Sequence, residues 1–156
     1  MPELPLAQIS PDGKYRYFLS RRWSPAPQIT FICLNPSTAD ATLDDPTIRR
    51  CIRFSRDWGA GALYMVNLFA YRSTSPAALH QTTDPIGPDN DEWLDIAVSG
   101  ANMVIAAWGN HGRLLGRDEI IKNRYLGKLH ALKVTSKGMP GHPLYIASHV
   151  VATPLI

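Results

Sequence analysis

Charge is scarce in this sequence. Asp, Glu, Lys and Arg make up 19% of its 156 residues, with no long run of either sign and no low-complexity tract, which excludes the composition of a disordered polyelectrolyte. Cysteine is scarcer still: Cys33 and Cys51 are too few for a four-cysteine zinc site or an iron–sulfur cluster, and without paired-ligand spacing both read as buried thiols. No apolar run reaches the roughly 20 residues that cross a bilayer. The opening MPELPLAQISPDGKYR is polar and carries early prolines, unlike a signal peptide. These absences set the expectation of a cytoplasmic protein with no membrane partner, no metal cluster and no cofactor.

What is present describes a globular chain. Apolar residues reach 45%, and residues 1–156 suit one domain with a full three-layer core rather than two such cores. A net charge of +3 and a pI near 9.0 tilt the chain towards an anionic partner without establishing one. A monomer is expected.

The stretch QITFICLNPSTADATLDDPTIRR, residues 28–50, organises the rest. Ile29, Phe31, Ile32 and Leu34 form the apolar run of a buried strand, whereas Asp45 and Pro46 suit the cap and first position of a helix. The loop over 35–44 then lies at the carboxyl end of a strand and just before a helix amino terminus, where open α/β sheets bind ligands and exposed N–H groups favour anions. Asn35-Pro36 is the first candidate for chemistry, although Asn-Pro-Ser is also ordinary turn composition. On the predicted helix over 46–58, Ile48, Cys51, Ile52 and Ser55 share an inward face, while Arg49, Arg53 and Arg56 recur on another. That basic stripe reads first as a solvated face and second as a phosphate contact, its place directly after the loop narrowing the difference.

Before this stretch, Pro11-Asp12-Gly13 is a turn, and the alternation of Tyr15, Tyr17 and Leu19 with Arg16 and Phe18 predicts an edge strand with one wetter face. After it, ALYMVNLFA (62–70) is apolar almost throughout, as parallel strands covered on both sides are. Asn67 interrupts it. A buried amide there needs partners, from neighbouring backbone or from the edge of a ligand such as a heterocyclic base. A loop-rich segment runs to Pro88. A helix follows with Trp93, Ile96, Ala97 and Gly100 on one face, then a third strand over 102–109. Asn110 caps a short helix through Leu115. A further helix from about Asp118 points Ile121, Tyr125, Leu129 and Leu132 inward, a fourth strand covers 132–135, and a loop spans 136–145. This alternation predicts an α/β fold: a three-layer α/β/α sandwich with a mostly parallel four-stranded central sheet and an amino-terminal edge strand. The loops of Asn35 and His142 and the end of Asn67's strand should emerge at one edge.

FICLNPSTADATLDDPTIRRC, VNLFAYRSTSPAAL, DPIGPDND and GHPLY together resemble the DUF1643 family, over nearly everything from Phe31 to Tyr145. More distantly, ICLNPS, LYMVNLFAYR, MVIAAWGNHGRLLG and GHPLY resemble, in order and spacing, the motifs of the uracil-DNA glycosylase superfamily and its mismatch-specific, Asn-Pro branch. That resemblance implies a glycosylase on uracil, mispaired thymine or a modified pyrimidine in DNA. Asn35 would position the attacking water, His142 would stabilise the departing base, and Asn67 would read the base edge beside Leu34, Pro36 and Phe69. Charge and position add Ser37, Thr38, Arg49, Arg53 and Arg72 as phosphate contacts. The pattern departs from the family where Leu144 and Tyr145 follow His-Pro, and in the tail IASHVVATPLI. Two other readings stand beside it. One is a binding module of the same fold that recognises a nucleotide, a modified base or DNA without cutting. The other is a metal-dependent hydrolase built on Asp40, Asp44, Asp45 and a histidine, although Asp45 is already explained as a cap. Ser37 and Thr38 lack a G-x-S-x-G context and read as loop donors rather than nucleophiles.

Overall fold

A computed structural model describes residues 4–155. The sheet is built from strands whose side chains alternate between two cores. In β3 (Gln28–Cys33), Ile29, Phe31 and Cys33 join one cluster and Ile32 the other. In β4 (Ala62–Asn67), Leu63 and Met65 face the first and Val66 the second. Burial on both faces is why these segments read as continuous apolar runs. β3 pairs in parallel with β4 on one side and with β5 (Met103–Ala106) on the other, so that Phe31 lies beside Met65 and Ile105.

α1 (Pro46–Asp57) follows β3 because Asp45 stops the extended chain and accepts the Ile48 N–H at 2.9 Å. Its buried Ile48, Cys51 and Phe54 cover the first cluster, and each large side chain so buried contributes about 2 kcal/mol. α2 (Asn90–Ser99) sends Leu94, Ala97 and Val98 into the second cluster. α3 (Arg117–Arg124) sends Ile121 into the same cluster. Helices therefore lie on both faces of the sheet. β6 (Leu129–Ala131) pairs parallel to β5, and β7 (Thr153–Pro154) pairs antiparallel to β6. On the other side, β1 (Ala7–Ile9) and β2 (Arg16–Arg22) form an antiparallel pair added to β4. The result is a mixed seven-stranded sheet in the order β1-β2-β4-β3-β5-β6-β7, parallel through its four inner strands. No helix among the described residues is long and apolar enough to cross a membrane.

Six expectations need correction. The sheet has seven strands rather than four and an edge strand, and Asn110 does not cap the turn over Asn110–Gly116, whose capping position is Gly109 with no side-chain bond. The segment around Arg16 is not an edge: β1 pairs outside it, and Arg16, Tyr17, Phe18, Leu19 and Ser20 are all buried. The fourth parallel strand is 129–131 rather than 132–135, because α3 ends at Arg124 and Gly127 takes a left-handed turn. Leu129 is thus a strand residue. On α2 the buried face is Asn90, Leu94, Ala97 and Val98, rotated from the predicted one because Asn90 turns inward to bond the carbonyls of Asn67 and Leu68. On α1 Phe54 takes the inward place predicted for Ile52, which is only half-buried.

Candidate functional site

The four parallel strands release their loops at one edge, and there they surround a cleft of about 950 Å³. Leu34, Asn35, Ser37 and Thr38 follow β3; Ser73, Thr74 and Pro76 follow β4; Trp108 to His111 follow β5; Lys133, Thr135 and Ser136 follow β6. His142, Leu144 and Tyr145 close the wall. Behind the cleft lies a chamber of about 30 Å³ lined by Arg16, Cys33, Asn67, Met65 and Ile48. Asn35, Ser37, Asp45, Thr47 and His142 line both spaces and so form the boundary between them. The chamber has room for one water or one projecting oxygen, not for a ring.

Asn35 is fixed by its own amide. Nδ2 donates to the carbonyls of Ser73, Pro36 and Tyr71 at 3.1, 3.2 and 3.4 Å, which ties the loop after β3 to the loop after β4. Oδ1 accepts no bond among the described residues and is left as the acceptor of this group. Asn67, 2% exposed at the end of β4, has the opposite problem: its Nδ2 is buried without a partner. The backbone does not satisfy it. Its own carbonyl instead accepts from Asn90 at 2.9 Å.

His142 hangs from the ends of two strands. Gly109, at φ +73°, donates its N–H to the Pro140 carbonyl at 2.8 Å, and the Gly141 N–H donates to the Lys133 carbonyl at 2.7 Å. A left-handed backbone at the end of β5 is cheap for glycine and costly for most residues. The imidazole Nδ1 then accepts the Leu144 N–H at 3.2 Å, so that in the neutral ring Nε2 carries the proton. Burial lowers the His142 pKa below 6.5, and the nearby Asp45 carboxylate opposes this only in part. A neutral donor is thus held at the boundary of cleft and chamber.

The remaining predicted residues divide. Leu34, Ser37 and Thr38 line the cleft and Pro36 the chamber. Phe69 is fully buried in the core and lines neither. Arg49 and Arg53 are exposed on the outer side of α1, and Arg72 lies behind the Asn35 loop, near the carbonyls of Ser37 and Gly13 at 3.4 and 3.5 Å. The amino terminus of α1 is already occupied by the Asp45 carboxylate, so the expected attraction of an anion to that point is offset. The three aspartates do not gather. Asp44 pairs with Arg21 at 2.8 Å, Asp40 accepts the backbone N–H groups of Thr42 and Leu43, and Asp45 caps α1. Among the described residues no group of three or more His, Cys, Asp or Glu is placed to hold a metal ion.

Sequence reasoning missed Arg16, Asp45 as a lining group, Trp108 and Lys133. Arg16 is 2% exposed; Nη1 donates to the Ala39 carbonyl at 3.1 Å, Nε has no partner, and burial lowers its pKa to about 10, still cationic at neutral pH. A charged residue within an apolar alternation was the available signal. Trp108 lines the cleft from the core beneath it, 1% exposed, and its Nε1 is buried without a partner.

An α/β protein with a ligand-sized cleft at the carboxyl ends of its parallel strands is the class these features define. A family model described as "Protein of unknown function (DUF1643)" matches residues 16–144, and the chain belongs to that family. The match spans Arg16, Asn35, Asp45, Asn67 and His142. No curated protein and no solved structure matches the chain.

Proposed function

We propose that the cleft takes a nucleobase from DNA and that the protein hydrolyses its N-glycosidic bond, the base being uracil, a mispaired thymine or a modified pyrimidine. The observation that carries this reading is the meeting of Asn35, Asn67 and His142 around one chamber, from three distant segments, with a free acceptor, a free donor and a neutral imidazole. In this reading the fold is the three-layer sandwich of the uracil-DNA glycosylase type. A flat ring lies in the cleft and projects one oxygen into the chamber, where the Asn67 Nδ2 finds its missing acceptor. Cleavage builds positive charge on the sugar and negative charge on the departing pyrimidine. A preorganised Nε2–H donor from His142 at that oxygen lowers the barrier by about 3 kcal/mol. The Asn35 Oδ1 orients the attacking water. Extruding the base costs a few kcal/mol, which favours damaged or mispaired targets. Ser37 and Thr38 at the rim, with the exposed Arg49 and Arg53 beyond it, offer phosphate contacts to the strand.

The test is mass-spectrometric detection of free base after incubation with DNA carrying uracil, G·T mismatches or modified pyrimidines. Release by the wild type and its loss in Asn35→Ala and His142→Ala supports the proposal, and intact DNA at stoichiometric protein overturns it. One observation favours a second reading, a module that binds without cutting: all donor capacity of Asn35 is spent on three carbonyls, and an amide cannot take a proton. Salt-dependent DNA binding with no base release would establish that alternative.

A further inference from the structure

We propose that Asp45 is the acid–base carboxylate of this cleft, with Arg16 as its positioning partner, an assignment that rests on the base-release reading. Asp45 is the one acidic side chain among the described residues that line the cleft or the chamber, and it lines both. It is 6% exposed. Oδ1 accepts the Ile48 N–H at 2.9 Å and Oδ2 the Ala39 N–H at 3.3 Å, one bond each, so both oxygens keep a lone pair. Capping α1 therefore leaves the carboxylate able to do more. The Ala39 segment couples it to Arg16, since the Ala39 N–H goes to Asp45 and the Ala39 carbonyl to the Arg16 Nη1 at 3.1 Å. A buried cation with one bonded nitrogen and an unpartnered Nε needs a counter-charge close by, and Asp45 provides it across the chamber. At the boundary of cleft and chamber no other described side chain is a proton acceptor suited to water: Asn35 is an amide, and His142 holds its Nδ1 against the Leu144 N–H.

The step balances without a co-reactant. Water oxygen bonds to the anomeric carbon as the carbon–nitrogen bond breaks, and the electron pair of that bond leaves with the base. The proton of the water passes to the Asp45 carboxylate while the Nε2–H of His142 bonds the departing oxygen; Asp45 later returns the proton to the base or to solvent. The titratable and charged groups that face Asp45 are Arg16 from β2, Cys33 from β3, Cys51 from α1 and His142, with His111 and Lys133 across the cleft.

Asparagine caps helices about as well as aspartate, and serine nearly so, so Asp45→Asn and Asp45→Ser separate the cap from the base. The experiment is single-turnover base release against pH on the DNA that the wild type cleaves, with urea unfolding as the check on folding. The proposal expects a loss of about 100-fold or more in both variants and partial rescue of Asp45→Ser by added formate. Arg16→Met should lower kcat more than it raises KM, because the carboxylate loses the buried partner that positions it. Folded variants that retain the wild-type profile within about threefold overturn the role of Asp45 and leave the base-release reading standing. A wild type that releases no base from any DNA overturns both.

Discussion

Replacing Asn67 by leucine should make the protein more stable and less functional. The two side chains branch alike at Cγ with the same number of heavy atoms, leucine being the bulkier, and Asn67 is 2% exposed beside the apolar Cys33 and Met65 on one side of the chamber. Its Nδ2 makes no hydrogen bond, and an unpaired buried donor costs about 1–3 kcal/mol. The backbone is untouched, since the Asn67 carbonyl keeps its bond from Asn90 at 2.9 Å. Allowing for imperfect packing of leucine, the net gain is about 1–2 kcal/mol, or roughly 2–8 °C in Tm for a domain of this size. Equilibrium unfolding in urea measures it as a higher midpoint at constant slope. The same variant should lose its affinity for a pyrimidine ligand. A lower midpoint would refute the reasoning, because it would mean that a bound water already satisfies Nδ2 and that no ligand is needed to explain it.

His142→Ala should reduce base release by about 100-fold or more, the range for removing one preorganised donor. Because the folded pKa of His142 lies below its ordinary 6.5, the neutral donor persists through neutral pH, and activity should fall as the medium is acidified through that lowered value. Stability follows the same sign: the contribution of His142 is complete above about 6.5 and is lost as pH drops through the folded pKa, where protonation also removes the acceptor of the Leu144 N–H. A pH–rate profile and a pH series of unfolding midpoints check the two halves. Gly112→Ala drives a Cβ against Cδ1 of Trp108 and should cost about 1–3 kcal/mol by displacing that ring, measurable as a lower midpoint and a shifted tryptophan emission.

Much of this arrangement was legible in the residues. The strands β3, β4 and β5 announced themselves as apolar runs because both their faces are covered. Asp45-Pro46 marked the start of α1 through cap chemistry alone. The convergence of Asn35, Asn67 and His142 followed from the parallel run of the inner strands, which sends the carboxyl ends of all four to one edge. What escaped has physical causes. β1 and β7 are two or three residues long and carry too little pattern to be seen without their partners. Arg16 sits where a strand alternation allows a surface residue, and its burial comes from the loop after β3, whose Ala39 carbonyl it bonds, and from the walls of the chamber. The separation of cleft from chamber depends on where the Asn35 amide is tied, a tertiary matter that no local spacing encodes. Asp45 was legible as a cap, and that sufficient explanation hid its second exposure to the cleft.

Recognition of a flat heterocycle requires that it meet the unpartnered donor of Asn67. Titration of ¹⁵N-labelled protein with a pyrimidine nucleoside, followed by NMR of the side-chain amide and imidazole signals, tests this directly. Saturable downfield shifts of the Asn67 Nδ2 protons together with the His142 ring resonances are the predicted result. Unchanged Asn67 signals at millimolar ligand, or shifts confined to residues outside the cleft, would contradict it.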